Sequence, residues 1–326
     1  MIIFQFFGRY SQAMSGSRKI LVAPLDWGIG HAARCIPIIR KHIEAGDEVV
    51  LASNGRSKAL LQSHFPDLDY LPDPPDYRIH YSNQLPFLLK VGSQIPRILS
   101  TISKENAWLE EHLKWRKFDM VISDNRYGLY SKSTQSIFIT HQTAPIVPSL
   151  GRSLVHKYIR QWCERFDETW IPDIEQTERS LGGQLSHHNV PSNAHYIGFL
   201  SRFSGIDKPV ANDSYNHVAI ISGPEPTRSH FEKMLFYFFQ KKNETALIVS
   251  GKPDAQEDIT HEKVRIISQI SDEDLMAYTA GAERIYSRSG YSSIMDFATL
   301  NVLDKVRWYP TKGQTEQVYL ASRLNG

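Results

Sequence analysis

Residues 19–52 read KILVAPLDWGIGHAARCIPIIRKHIEAGDEVVLA, and the change of period inside that stretch decides the fold. Residues 19–24 are an unbroken apolar run of the kind that forms a strand buried on both faces, whereas residues 31–45 carry apolar side chains at helical spacing. Gly46 stands where a helix closes in the left-handed conformation, and residues 48–52 return to β-branched, apolar character. Strand, helix and strand in so short a span make one βαβ unit. A chain that repeats the unit builds an α/β fold with a parallel sheet covered by helices.

The pattern does repeat. Helical spacing over 57–64, 94–115 and 154–165 alternates with strands expected at 68–71, 119–123, 136–140 and 168–171. Residues 72–86 interrupt this series with a long loop rich in Pro, Tyr and Asp. A second series begins near His195, with strands at 217–221, 245–250, 264–267 and 284–287 and helices at 228–242, 272–280 and 292–300. The polar segment 201–214, with Gly205 and Pro209, reads as a linker. The expected organisation is therefore a tail over 1–18, one Rossmann-like domain over 19–200, a linker over 201–214 and a second domain over 215–326. A length of 326 residues is enough for two such domains, each with its own core. Residues 1–7 are apolar but short and lack a basic lead-in, which reads as a tail rather than a signal, with Met14 as an alternative start.

Composition removes several classes of function. A net charge of +2, with Lys and Arg interspersed among Asp and Glu, gives no footprint for nucleic acid. The two cysteines, Cys35 and Cys163, lie in separate helical segments and belong to no Cys/His cluster, so neither a metal site nor a disulfide scaffold is expected. No apolar run approaches the roughly 20 residues that span a bilayer. The expectation is a cytoplasmic protein, with the patch Phe87, Leu88, Leu89 and Lys90 as a candidate peripheral contact at the inner face of the membrane. A buried helix explains the same four residues.

In open parallel sheets, ligands bind beyond the carboxyl ends of the strands, so chemistry is sought just after each one. After the first strand come Gly28 and Gly30, which let the backbone turn tightly and approach a ligand, and then His31. A histidine suits removal of a proton from a hydroxyl when an acid orients its ring; the same residue could simply cap the helix. Asp124 ends the strand expected at 119–123 and is the acid placed to pair with it, or else caps the following turn. His141 and Gln142 sit at a third strand end, where they bind hydroxyls or satisfy the loop.

In the second series Gly223 and Thr227 flank a turn into a helix, with Thr227 as its cap, but Glu225 is a poor neighbour for a bound anion. Residues 287–293, read as Ser-Arg-Ser-Gly-Tyr-Ser-Ser, leave a strand and open a helix whose N-terminus attracts a pyrophosphate. Asp296 lies on that helix, where it can accept hydrogen bonds from two ribose hydroxyls or simply favour the helix dipole.

The order of these pieces resembles the GT-B glycosyltransferases, especially the peptidoglycan N-acetylglucosaminyltransferase family that uses UDP-N-acetylglucosamine. The resemblance runs from about Lys19 to the end and resembles an uncharacterised bacterial branch. It implies two doubly wound Rossmann-like domains facing a central cleft, and cell-envelope glycan chemistry. It places His31 and Asp124 as catalytic residues, with Gly28, Gly30, Asn125, Arg126 and His141 at the acceptor. It places Arg288, Ser289, Gly290 and Ser292 at the donor diphosphate, beside Gly223 and Thr227. Ile270 takes the position that reads uracil through its backbone, Asp296 that of the ribose-binding acid, and Gln314, Glu316 and Gln317 that of the donor-sugar segment. The chain departs from the family at Glu225 and its flanking prolines. It also ends at Gly326, soon after the Gln-rich helix start, where relatives add a helix, so a shortened second domain is expected.

The implied activity is metal-independent, inverting transfer from a UDP-sugar, used as co-substrate with no further cofactor, to a sugar or lipid-linked hydroxyl. The absence of a convincing metal-binding Asp-x-Asp in a rim loop agrees with metal independence. Two other readings keep the fold: a nucleotide-sugar hydrolase or 2-epimerase, and a non-catalytic nucleotide-sugar-binding protein.

Overall fold

The computed structural model describes residues 17–77, 87–252 and 255–325, with the backbone alone for 87–95. Residues 1–16 of the expected tail, with the alternative start at Met14, residues 78–86 of the 72–86 loop and the side chains of Phe87 to Lys90 lie outside the described residues; Arg18, at the end of the expected tail, is held by Asp47. The chain divides into two compact units, residues 1–178 with 183–198, and residues 179–182 with 199–326. Each unit is a doubly wound α/β domain.

The first unit holds a parallel sheet built from β1 (Lys19–Pro24), β2 (Glu48–Leu51), β3 (Asp69–Tyr70), β4 (Met120–Asp124), β5 (Gln135–Ile139), β6 (Glu168–Ile171) and β7 (Ala194–Tyr196), in the order β3-β2-β1-β4-β5-β6-β7. The helices are α1 (Ile29–Glu44), α2 (Gly55–His64), α3 (Phe87–Trp115), α4 (Arg152–Cys163) and the single turn α5 (Gln184–His187). Residues Ile20 to Ala23 and Val121 to Ile122 are fully buried, as a central strand covered on both faces requires. Leu21, Ala23, Val50 and Val121 pack on one face against Leu109 of α3 and Phe118.

The strand at Ala194–Tyr196 pairs in parallel with β6, Thr169 opposite Ala194, so it closes the first sheet rather than opening the second series as the sequence suggested. Three residues at a sheet edge carry too little apolar pattern to show their partner.

The second unit has the order β10-β11-β9-β8-β12-β13, with β8 (His217–Ile220), β9 (Ala246–Val249), β10 (Asp258–His261), β11 (Val264–Ile267), β12 (Arg284–Ser287) and β13 (Val306–Trp308). Its helices are α6 (Thr227–Lys242), α7 (Asp272–Gly281), α8 (Tyr291–Leu300) and α9 (Thr315–Leu324). Phe231, Leu235 and Phe239 of α6 pack on Ala219, Ile248 and Tyr286 to form the core. The strand β10, antiparallel to β11, escaped sequence reading because all four of its residues are exposed and no apolar run marks it. Residues 201–214 form turns with Ser201 and Phe203 buried.

The order of strands matters for the site. In the first sheet the chain moves outward from β1 in both directions, so β1 and β4 are neighbours at a topological switch point, where the loops that follow them diverge and leave a crevice. In the second sheet β8 and β12 hold the equivalent place.

Candidate functional site

Parallel pairing puts Pro24 opposite Asp124 and ties Leu25 N–H to the Asp124 carbonyl at 3.0 Å. The turn out of β1 therefore starts beside the carboxylate that ends β4. Gly28, with φ of 117°, is the residue before α1, a backbone region that favours glycine. The helix begins at Ile29, so His31 is inside its first turn and no side chain caps it. The helix-cap alternative for His31 is thereby removed. Gly30 is the second residue of the same helix.

His31 Nδ1 lies 2.7 Å from Asp124 Oδ1. Three residues along the helix, and so on the same face, Arg34 donates from Nε to Asp124 Oδ2 at 2.5 Å and from Nη2 to Oδ1. Arg34 Nη1 lies 3.1 Å from His141 Nδ1. A guanidinium has no lone pair to offer, so that nitrogen of His141 is the acceptor. Cys35 Sγ adds a 3.7 Å contact to Asp124 Oδ2. Asp124 is fully buried and Arg34 is 1% exposed, while the His31 side chain keeps 16% exposure.

Burial alone would raise the Asp124 carboxyl. The charge of Arg34, then that of His31, overcomes it and holds the group at about 2. His31 is lowered below its usual value, chiefly because burial disfavours the cation. Asp124 pulls it upward, and Arg34 and His141 push it down. The ring is therefore neutral at neutral pH. Because Nδ1 faces an ionised carboxylate at hydrogen-bond distance, it must carry the proton, and Nε2 is left with the lone pair of a base. Arg34 was missed by sequence reading, although its i, i+3 spacing from His31 was a usable signal.

Asn125 adopts a left-handed φ of 58° directly after Asp124, and its side-chain oxygen is buried without a hydrogen-bond partner among the described residues. Arg126 corrects an expectation. It is 1% exposed, and its donors go to the Pro24 and Pro75 carbonyls, to Asn54 Oδ1 and to Glu105 Oε1. It clamps the ends of β1 and β2 from within, and none of this reaches an acceptor sugar. Glu105 in turn accepts from Tyr77 Oη at 2.5 Å and from Gly128 N–H at 3.0 Å.

In the second unit the turn after β8 holds Gly223, with φ of 108° and open space where a Cβ would stand. Glu225 pairs with Arg228 and Ser229, so its charge is neutralised locally. Thr227 does not cap α6: it is the first helical residue, and its hydroxyl donates back to the Pro224 carbonyl at 2.6 Å.

Arg288, expected at a diphosphate, donates to the carbonyls of Tyr309, Pro310 and Thr227 and covers the Phe231 ring at 4.1 Å. It joins the strand-end loops to one another. Ser289 Oγ donates to the Gln317 carbonyl, and Gln317 Oε1 accepts from Thr311 N–H. The 288–290 turn and the 311–317 segment thus meet at one rim. Gly290 precedes α8 and offers no capping side chain, with Ser292 in the first turn of that helix. Gln314 precedes α9 and Glu316 lies in its first turn.

Asp296, one turn further along α8, accepts from Ser201 Oγ at 2.6 Å and lies 3.7 Å from Arg202 Nε. Burial leads in raising it to about 6, against Arg202 and Ser201. Arg202 also reaches Asp272 Oδ1 at 3.4 Å. Ile270 is half-buried beside Ser271, whose hydroxyl accepts from Asp274 N–H and caps α7. Sequence reading foresaw Asp296 on its helix and missed the Ser201 and Arg202 pair that occupies it.

No protein-family model matches the chain. It is 22% identical over 318 residues to an uncharacterized glycosyltransferase of Methanosarcina acetivorans, covering 92% of this chain and 81% of that protein. Among solved structures it is similar to UGT89C1 of Arabidopsis thaliana complexed with UDP-L-rhamnose, with a TM-score of 0.58 at 12% identity over 94% of this chain and 82% of that one. It is also similar to a putative UDP-N-acetylglucosamine 2-epimerase from Listeria monocytogenes, with a TM-score of 0.56 at 10% identity over 94% and 82%. These likenesses establish the fold, which is GT-B.

Proposed function

We propose that the chain is a glycosyltransferase that moves a sugar from a nucleotide sugar, most simply a UDP-sugar, to a hydroxyl of a sugar or lipid-linked acceptor. The observation that carries this reading is the 2.7 Å pairing of His31 with Asp124 at the switch point of the first sheet. There a neutral ring nitrogen can receive a hydroxyl proton while the carboxylate stabilises the imidazolium that forms. The acceptor oxygen attacks the anomeric carbon as Nε2 takes its proton, the bond to the diphosphate breaks, and direct displacement inverts that carbon. The second unit holds the donor, with the first turn of α8 offering its N–H groups to the leaving diphosphate. Asp296 receives the ribose hydroxyls once Ser201 releases it. The similarity to named glycosyltransferases supports the transferase reading.

The likeness to a named 2-epimerase supports a second reading, in which the same groups act on the nucleotide sugar with water or with no second substrate. One experiment separates the two. A thermal-shift panel of nucleotides and nucleotide sugars identifies the donor, and product analysis then follows with and without acceptor. Transfer is expected only with acceptor, and His31→Ala should lower it by about two orders of magnitude or more with UDP affinity retained. Rapid free sugar or epimer without acceptor supports the second reading. Binding of UDP without any turnover leaves a binding protein, and full turnover by His31→Ala removes the base.

A further inference from the structure

Histidine and aspartate alone form a sufficient base, yet here a third buried group claims the same carboxylate. Arg34 takes both oxygens of Asp124 while His31 takes Oδ1 as well. Arg34 Nη2 also lies 3.1 Å from His31 Nδ1. That nitrogen bears a proton directed at Oδ1, so two donors lie side by side on one oxygen. The contact between them is a proximity of charge and not a hydrogen bond.

We propose that Arg34 is the positioning residue of the base: its planar fork locks Asp124 in the orientation that fixes the His31 tautomer, and its fixed charge beside the ring opposes a second positive charge there. With His31 neutral, the charges of Asp124 and Arg34 cancel. Protonation leaves the group with a net positive charge, whereas a histidine paired with aspartate alone would become neutral on protonation. The ring therefore resists idle protonation, and the proton it takes from a hydroxyl is readily given up again.

Among the described residues, the charged and titratable groups around His31 are Asp124 at the end of β4, Arg34 on its own helix and His141 after β5, with Cys35 against Asp124. Cys35 is a neutral thiol, pushed well up by burial and by Asp124. Asp26, in the loop before α1, is turned away to the Ser57 N–H at the start of α2. Lysine could supply the charge but not the two parallel N–H bonds that hold the carboxylate flat.

The inference rests on the transferase reading only in naming His31 a base, and its test does not need turnover. Full-length protein with isotope-labelled histidine is titrated by NMR, with the His31 signal assigned by its loss in His31→Gln. The wild-type ring should carry its proton on Nδ1 at pH 7 and titrate below the ordinary histidine value of 6.5. In Arg34→Gln the midpoint should rise measurably, because a like charge beside the ring is removed while Asp124 stays. Arg34→Lys should hold the midpoint near wild type while broadening the tautomer population. Asp124→Asn should move the midpoint the other way, further down.

A wild-type ring charged at pH 7, or one with its proton on Nε2, overturns the proposal without any variant, so a poorly folding Arg34→Gln leaves it testable. A folded Arg34→Gln whose midpoint does not rise overturns it too. Once a donor is known, the acid limb of kcat/KM should move up in Arg34→Gln by the same interval, with activity recovering at high pH. A purely structural role would lower activity at every pH. Absence of transfer with any donor would count against the proposed function and leave the NMR result standing.

Discussion

Replacing Asp124 by Asn tests the buried carboxylate through stability as well as through turnover. The carboxyl is held at about 2 against an ordinary value of 3.8, and each pH unit of that difference corresponds to about 1.4 kcal/mol. The ionised group thus contributes on the order of 2 kcal/mol to the first unit at neutral pH. Leaving Arg34 buried opposite an uncharged amide adds to the loss, with roughly 3–5 kcal/mol as the figure for breaking a buried pair outright. Expected destabilisation is therefore about 2–4 kcal/mol at pH 7.

The sign of the pH dependence follows from a depressed carboxylate. The stabilisation is complete above the unfolded value near 3.8 and is lost as pH falls through about 2. Wild type and Asp124→Asn should accordingly differ fully from pH 5 upward and begin to converge below about pH 4. Urea unfolding followed by tryptophan fluorescence reports the right unit, because five of the six tryptophans lie in it, Trp170 of β6 fully buried among them. An Asn variant as stable as wild type at pH 7 would refute the ionised, doubly bonded carboxylate on which the base depends. Turnover should fall about 10³-fold or more as the ring loses its fixed tautomer.

Two further outcomes concern other buried groups. Glu105→Ala leaves Arg126 without its carboxylate and strips acceptors from Tyr77 and Gly128, so the first unit should lose roughly 3–5 kcal/mol by urea unfolding; a loss below about 1 kcal/mol would mean that the pair is solvated. Asp296, raised to about 6, disfavours the folded state once ionised, so stability on its account falls as pH rises from about 4 to about 6 and stays low above. Asp296→Asn should then stabilise the second unit at pH 7–8 by on the order of 3 kcal/mol, with the gain vanishing near pH 4, and should weaken UDP binding measured by calorimetry. Unchanged UDP affinity would remove Asp296 from the donor site.

Much of the site was legible because its residues follow strands whose apolar runs are continuous. The run at 19–24 and the one ending beside Asp124 declare themselves as buried strands, and the rim position of His31 and Asp124 follows from parallel topology. Arg126 was misread for the opposite reason. An arginine just past a strand end looks like a ligand-binding group, and only the converging carbonyls of Pro24 and Pro75 with Glu105 show that it faces inward. Arg288 is similar, since the carbonyls that hold it come from two separate segments, Tyr309 and Pro310 in one and Thr227 in the other. The antiparallel β10 left no trace in the sequence because an exposed edge strand needs no apolar alternation.

The sequence by itself determined the α/β class, the succession of strands and helices, and the rim positions of His31 and Asp124, because local periodicity and turn residues act over a few neighbours. The tertiary structure alone decided that β1 pairs with β4, that Arg34 completes the group around Asp124, and that Ser201 occupies Asp296. Those contacts join residues about 90 or more positions apart, and burial then sets their charge states; neither the pairing nor the dielectric that fixes those charges is written in any local stretch of the chain.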